Sequence, residues 1–354
     1  MLSGLPKWSA IEIAPTCRCE SAEGRTAYGG LFAHLKEARM AFQAPIDEYN
    51  GKIREVTLGA GERKITVGGE TALPFYLFEG EMPHLPAIAF EVYDAPPSDW
   101  PGACVEPYKD VLDDPIRWAV KCQDEYKADM ICLQLQSTNP AGENRSAEEA
   151  ASVTKKVADA VSIPLIVYGS GSVEKDAEVL TKVAEVCQGK NVLLGPIEED
   201  NYKTIAAAAM GFGHNGAAHS PIDVNMAKQL NILVTQLGLD PSRVVVDPTT
   251  GALGYGLEYS FSVMERLRLA ALTQNDSMTQ MPMISNLGKE VWKAKEAKTP
   301  TDVEPLWGDA GMRGILWEAL TAVALILAGS DILVMRHPKA AELVRKTMDM
   351  LKGM

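Results

Sequence analysis

The chain has 354 residues, 46% hydrophobic, 23% charged and 6% aromatic, which is a globular composition with length enough for a full core. It excludes an intrinsically disordered chain and a disulfide-stapled miniprotein. Lysine plus arginine total 34 against 47 acidic residues, a formal charge of −13; such a surface repels phosphate backbones and anionic lipid, so nucleic acid and membrane surfaces are poor partners.

The opening residues lack the basic start and apolar run of a signal peptide. No stretch of 18 apolar residues occurs, and the most apolar one, Ala319–Ala328, is too short to span a bilayer. Six cysteines in a chain of this size read as reduced thiols, which gives a cytoplasmic expectation.

Residues 1–52 form an N-terminal extension with little periodicity, holding Cys17-Arg18-Cys19 and a short helix expected over Leu31–Gln43. Residues 53–85 contain a β-hairpin and a connection. Val56–Leu58 and Lys64–Val67 alternate around Gly59-Ala60-Gly61-Glu62, and Gly68-Gly69 with Pro74 ends them.

From residue 86 to 354 short runs of strand formers recur, each followed by a helical stretch. They are Ile88–Tyr93, Met130–Leu135, Leu165–Tyr168, Val192–Leu194, His214–Ala218, Val244–Val246, Met283–Ser285 and Ile332–Met335. His214–Ala218 is the poorest of them in strand formers. Helix starts are marked by Asp114-Pro115 and by the capping box Ser146–Glu149, and Gly189 is placed to stop a helix over Val173–Gln188. Eight strand-first alternations predict an α/β fold, a (β/α)8 TIM barrel behind the extension and hairpin. An open doubly wound sheet would carry a glycine fingerprint after its first strand, where this chain has Asp94-Ala95-Pro96-Pro97.

In such a barrel ligands meet the loops after the strands. Those positions hold Asp94, Gln136–Asn139, Gly169-Ser170-Gly171, Glu198–Asn201, His219-Ser220, Asp247–Gly251, Asn286 and Arg336-His337. Turns need small and polar residues in any case, so it is the rim as a whole that reads as a binding surface. The run Gly251-Ala252-Leu253-Gly254-Tyr255-Gly256 opens a helix without the lysine of a phosphate loop, and suits a large flat ligand lying against backbone and tyrosine. Tyr255 and Tyr259 share a face if the helix has begun.

Metal ligation is not expected. His214 and His219 lie five apart on a strand and point to opposite faces, and Cys17 and Cys19 lack two further ligands. No Cys-x-x-Cys run holds an iron–sulfur cluster, and no Gly-x-Ser-x-Gly elbow is present. Glu91, inside a strand, is expected to pair with a polar neighbour such as Gln134.

Several long strings together resemble one family. They include Thr66–Phe75, Phe78–Glu81, Ala119–Cys122, Lys228–Leu233, Gly254–Arg266, Gly314–Ala319 and Met335–Pro338. The chain is similar from about residue 53 onward to the small subunit of the corrinoid iron–sulfur protein, the delta subunit of the acetyl-CoA decarbonylase/synthase complex. That resemblance implies a TIM barrel in a heterodimer with a large subunit, which holds the corrinoid and, alone, the [4Fe-4S] cluster. The corrinoid would lie at the interface, covered by this barrel. It would accept a methyl group from methyltetrahydropterin through a methyltransferase and deliver it to acetyl-CoA synthase/carbon monoxide dehydrogenase, in the reductive acetyl-CoA (Wood–Ljungdahl) pathway or its reversal.

Within that picture the chain owns no reactive centre and builds one wall of the corrinoid chamber. Gly251, Gly254 and Tyr255 are candidates to pack on the corrin edge, Thr249, Thr250 and Asn286 to hydrogen-bond its amides, with Arg336 beside them on the rim. Two other readings stand against or beside it. One is a pterin-dependent corrinoid methyltransferase in its own right, gripping pterin with Asp94, Asn139, Asp247 and Asn286. The other is a scaffold arm, in which the N-terminal extension docks onto carbon monoxide dehydrogenase/acetyl-CoA synthase.

Overall fold

The structure, a computed structural model, describes residues 45–353. The helix expected over Leu31–Gln43 and the Cys17/Cys19 pair lie outside them. A two-stranded antiparallel hairpin comes first, β1 (Val56–Leu58) and β2 (Ile65–Val67), with Val56 opposite Val67. Its turn needs left-handed backbone at Gly59 and Gly61, which glycine adopts without a Cβ penalty.

Eight parallel strands then close into a barrel: β3 (Ala87–Tyr93), β4 (Met130–Gln134), β5 (Leu165–Tyr168), β6 (Leu193–Ile197), β7 (Asn215–His219), β8 (Val244–Asp247), β9 (Met283–Ser285) and β10 (Ser330–Met335). Neighbours follow chain order and β10 returns to β3, so no strand edge is left open. All eight sequence runs are strands. β7 forms from Asn-Gly-Ala-Ala-His because small side chains fit the crowded barrel interior, where residue size outweighs intrinsic strand preference.

Helices cover the outside: α1 (Gly102–Val105), α2 (Pro115–Asp124), α3 (Ala147–Ala160), α4 (Val173–Val186), α5 (Tyr202–Phe212), α6 (Val224–Leu237), α7 (Leu257–Thr273), α8 (Leu287–Val291), α9 (Lys295–Lys298), α10 (Ala310–Ala328) and α11 (Pro338–Lys352). Asp114 caps α2 by accepting from the N–H groups of Ile116 and Arg117. Ser146 and Glu149 form the reciprocal capping box of α3. Gly189 is left-handed as expected, but α4 stops at Val186, three residues before it, on the N–H of Cys187.

Alternation along each strand separates two cores. Ala89, Met130, Cys132, Ile166, Leu193, Ala217, Val245 and Val334 fill the barrel, and Val56, Leu58 and Val67 of the hairpin join them, plugging its N-terminal end. Ile88, Phe90, Val92, Leu133, Val167, Leu194 and Val246 face the helices. The plug leaves the opposite, C-terminal end as the open one, and the strand-end residues gather there.

α10 extends well upstream of Ala319, through Arg313 and Glu318, to 19 residues. In length and composition it meets the requirement for crossing a membrane that the sequence run alone did not, and half of it is buried within the protein. Its charges sit inside. Arg313 donates to the carbonyls of Glu296, Thr299, Trp307 and Gly308, and Glu318 accepts from Trp292 Nε1.

Candidate functional site

At the open end a central cavity of about 280 Å³ is lined by residues from several strand ends, among them Gln134, Tyr168, Pro196, Asp247, Thr249, Thr250, Asn286 and Lys289. Beside it lies a groove of about 620 Å³ between the loop after β6 and one face of α6. Its acidic end is Glu198-Glu199-Asp200, and its apolar wall is Ile222, Met226, Leu230 and Leu233. Glu198, His219 and Thr249 belong to both spaces and form the partition.

The partition is a chain of hydrogen bonds. Tyr168 donates to Asp247 Oδ2 at 2.9 Å, and Asp247 Oδ1 accepts the N–H of Thr249 at 3.1 Å. Thr249 Oγ1 donates to the Ser220 carbonyl at 2.6 Å and meets His219 Nε2 at 3.1 Å, and His219 Nδ1 lies 2.9 Å from Glu198. Burial works against a proton on His219, but the Glu198 hydrogen bond and the charges of Asp247 and Glu198 outweigh it, so the imidazole sits above its ordinary value. Thr249 holds φ at +64°, a costly conformation for a β-branched residue, kept because both its backbone and its hydroxyl are fixed.

Three buried polar atoms around these spaces have no protein partner: Thr250 Oγ1 and Asn286 Oδ1 in the cavity and Ser220 Oγ in the groove. Leaving such groups unpaired is costly, so they are poised for a polar ligand. His219 has both ring nitrogens engaged and offers no free one for a metal. Among the described residues no three His, Cys, Asp or Glu side chains converge as a ligand set. The four described cysteines are buried and dispersed, with thiols pushed up by burial, and do not fit an iron–sulfur cluster.

The seven residues singled out by sequence separate into three places. Thr249, Thr250 and Asn286 come together in the cavity wall. Gly251, Gly254 and Tyr255 belong to a loop outside it. Gly251 presses against Gly256, where a Cβ would lie 2.5 Å from backbone, and gives its N–H to Ser260 Oγ. Gly254 faces Trp317, and Tyr255 is half exposed with its hydroxyl donating to Glu296. α7 begins at Leu257, so Tyr255 and Tyr259 do not share a helical face.

Arg336 lies below the rim, buried. It pairs with Glu91, donates to Tyr93 Oη at 2.6 Å, and stacks 4.4 Å from the Trp100 ring centroid. This corrects the expected Glu91–Gln134 pair. Gln134 instead donates weakly to Cys132 Sγ, because the arginine returning after β10 brings a full positive charge to Glu91, which an amide does not. Asp94 is likewise turned inward, accepting from the Ser137 N–H and hydroxyl, and Asn139 accepts from the Ala141 N–H.

The groove was missed by sequence reasoning, although its signal was present: Met226, Leu230 and Leu233 recur at helical spacing behind a strand-end acidic triplet. Lys289 and Tyr168 were missed because the one sits in a short helix past its strand end and the other reads as an ordinary strand residue.

Closed barrel, plugged base and polar open mouth define a TIM-barrel protein with a ligand-facing rim. Dihydropteroate synthases share this fold: that of Xanthomonas albilineans, in complex with indole-2-carboxylic acid and 6-chloroguanine, has a TM-score of 0.54 at 12% identity, covering 84% of this chain and 98% of its own. That of Thermus thermophilus has a TM-score of 0.52 at 15% identity, covering 85% of this chain and all of its own. Such low identity speaks to the fold alone.

Sequence similarity is more specific. The model of the CO dehydrogenase/acetyl-CoA synthase delta subunit family matches residues 55–350. The acetyl-CoA decarbonylase/synthase complex subunit delta of Archaeoglobus fulgidus is 41% identical over 327 residues, covering 89% of this chain and 72% of that protein. The corresponding subunit of Methanocaldococcus jannaschii is 37% identical over 353 residues, covering 98% and 85%. The chain belongs to this delta-subunit family, that of the corrinoid iron–sulfur protein small subunit.

Proposed function

We propose that this chain is the non-catalytic small subunit of a heterodimeric corrinoid methyl carrier, and that its barrel mouth caps a corrinoid held by the large subunit. When bound, the corrinoid supplies a nucleophilic cobalt that takes up and releases a methyl group. This chain's residues bind and shelter. Thr250 Oγ1 and Asn286 Oδ1, both orphaned in the cavity wall, are placed to hydrogen-bond the amide side chains on a corrin edge. The Tyr168–Asp247–Thr249–His219–Glu198 chain fixes the floor and partition so that water is excluded when a partner covers the mouth.

The observation that carries the reading is the pairing of unsatisfied hydrogen-bonding atoms with a wall that has no free metal ligand. Such a site can hold the periphery of a metal cofactor but not its metal. Methyl donor and acceptor would be the methyltetrahydropterin methyltransferase and acetyl-CoA synthase/carbon monoxide dehydrogenase, met in turn in the cytoplasm.

The test is to separate the subunits of the purified heterodimer and record the visible spectrum of each. We expect this chain to be colourless alone and the corrinoid bands to stay with the large subunit. Corrinoid colour retained by the isolated chain, or methyl transfer from methyltetrahydropterin to free cobalamin by it alone, overturns the proposal. The second outcome would make it a methyltransferase.

A further inference from the structure

α10 is inverted relative to an ordinary surface helix. Its only two charged residues, Arg313 and Glu318, are buried, while Met312, Leu316, Leu320 and Leu327 are exposed. Surface helices of barrels place charge outward and aliphatics inward. Here the outward positions recur four, four and seven residues apart, which draws one apolar stripe along the helix.

The stripe continues past the helix start. Leu306 is 98% exposed, with Val303 beside it in sequence and Trp307 held between Lys295 and Arg313. Charged residues border it on the flanking helices, Glu258 and Glu265 on α7 and Glu342 and Lys346 on α11. An apolar centre inside a charged rim is the layout of a protein interface. The side chains named expose on the order of 800 Å², about one partner's share of a standard stable interface.

The stripe also reaches toward the mouth. Trp317 Nε1 donates to the Leu253 carbonyl and Thr321 accepts the Leu253 N–H, which ties α10 to the loop that follows Thr249 and Thr250. A molecule seated on α10 is therefore placed beside the cavity whose polar atoms lack partners.

We infer that the outward face of α10, with Leu306 and Trp307, is the docking surface for the corrinoid-carrying large subunit, which presents an aliphatic helical face to it. This rests on the function proposed above, because one partner then both covers the stripe and fills the mouth. A second copy of this chain would cover the stripe and leave the polar atoms of the mouth unanswered.

The test uses the full chain carrying Leu316→Glu and Leu320→Glu together, with the purified large subunit as probe. Both positions are exposed, so far-UV circular dichroism and Tm of the chain should be unchanged. Binding of the large subunit should weaken by roughly 100-fold or more, since two charges would be buried at the centre of the interface. A rim change, Lys346→Glu, should alter affinity by less than about tenfold.

Undiminished binding by the double variant overturns the surface assignment and leaves the function standing. Failure of the unsubstituted chain to bind the large subunit overturns both. A wild-type homodimer that the double variant dissociates without loss of large-subunit binding assigns the stripe to a second copy instead. Co-flotation of the wild-type chain with phosphatidylcholine/phosphatidylglycerol vesicles, abolished by the substitutions with large-subunit binding intact, assigns it to a lipid surface.

Discussion

The guanidinium of Arg336, just after β10, pairs with the carboxylate of Glu91 in β3, both without solvent contact, so the last and first strands of the barrel are joined by charge as well as by backbone hydrogen bonds. Trp100 and Tyr93 wall the guanidinium in. Removing one partner of a buried pair leaves an uncompensated charge, whereas replacing both removes the problem. Arg336→Met should lower unfolding free energy by about 3–5 kcal/mol, and adding Glu91→Gln should restore a good part of it. Urea unfolding of the two variants checks this; a double variant no more stable than the single would sink it.

A second pair is coupled in the opposite sense. Burial pushes Glu318 up to about 7 despite three N–H donors, from Trp292 and the backbones of Arg336 and His337. Burial, with Lys339 nearby, pushes His337 down to about 4. Between about pH 4.5 and 7 the folded chain keeps a proton on Glu318 that the unfolded chain has lost, so acidification through that window stabilises. Between about 4 and 6.5 the unfolded chain protonates His337 while the folded chain does not, so acidification destabilises. Each effect reaches about 3 kcal/mol and their signs oppose. Glu318→Gln should therefore lose stability from pH 7 to pH 5 more steeply than the wild type, by about 2 kcal/mol. His337→Asn, which keeps an oxygen for the Lys339 N–H, should gain. Parallel denaturation curves for all three at both pH values would refute the coupling.

His219 offers a direct spectroscopic readout. Its imidazole should titrate above about 6.5, and Glu198→Gln should bring it down, because the main group opposing desolvation is removed. A raised histidine adds stability that is full below about pH 6.5 and is lost as pH rises through its folded value. Imidazole chemical shifts followed by NMR across pH 5–9 decide the matter. A midpoint unmoved by the substitution would show that Glu198 does not hold the proton.

Thr250→Val separates a ligand-facing hydroxyl from a structural one. In the free chain Thr250 Oγ1 is buried without a partner, so the methyl should be tolerated or add up to about 1 kcal/mol. In the heterodimer the same change should loosen the capped corrinoid by roughly five- to tenfold, the worth of one hydrogen bond. Calorimetric Tm of the free chain and corrinoid retention by the complex provide the two readings. A variant that is destabilised alone and unchanged in the complex would make the hydroxyl structural.

Much of the barrel was legible because its signals are local. Runs of β-branched residues, the Asp114 cap and the Ser146–Glu149 box each depend on neighbours within a few residues, and each is where the pattern placed it. The rim was legible in part. Thr249, Thr250 and Asn286 follow strand ends directly and meet in the cavity, whereas Gly251, Gly254 and Tyr255 lie in a loop whose direction is set by contacts with Glu296 and Trp317, some forty and sixty residues away in the chain.

The sequence by itself determined the number and order of strands and the polar character of their C-terminal ends, since hydrophobic periodicity and turn chemistry act over short spans. Tertiary structure alone decided that Arg336 turns inward to Glu91 instead of facing the rim, and that the charges of α10 are the buried side of the helix. Side-chain direction at those places follows from electrostatic pairing between segments far apart in the chain, and no local pattern encodes which distant partner a buried charge will find.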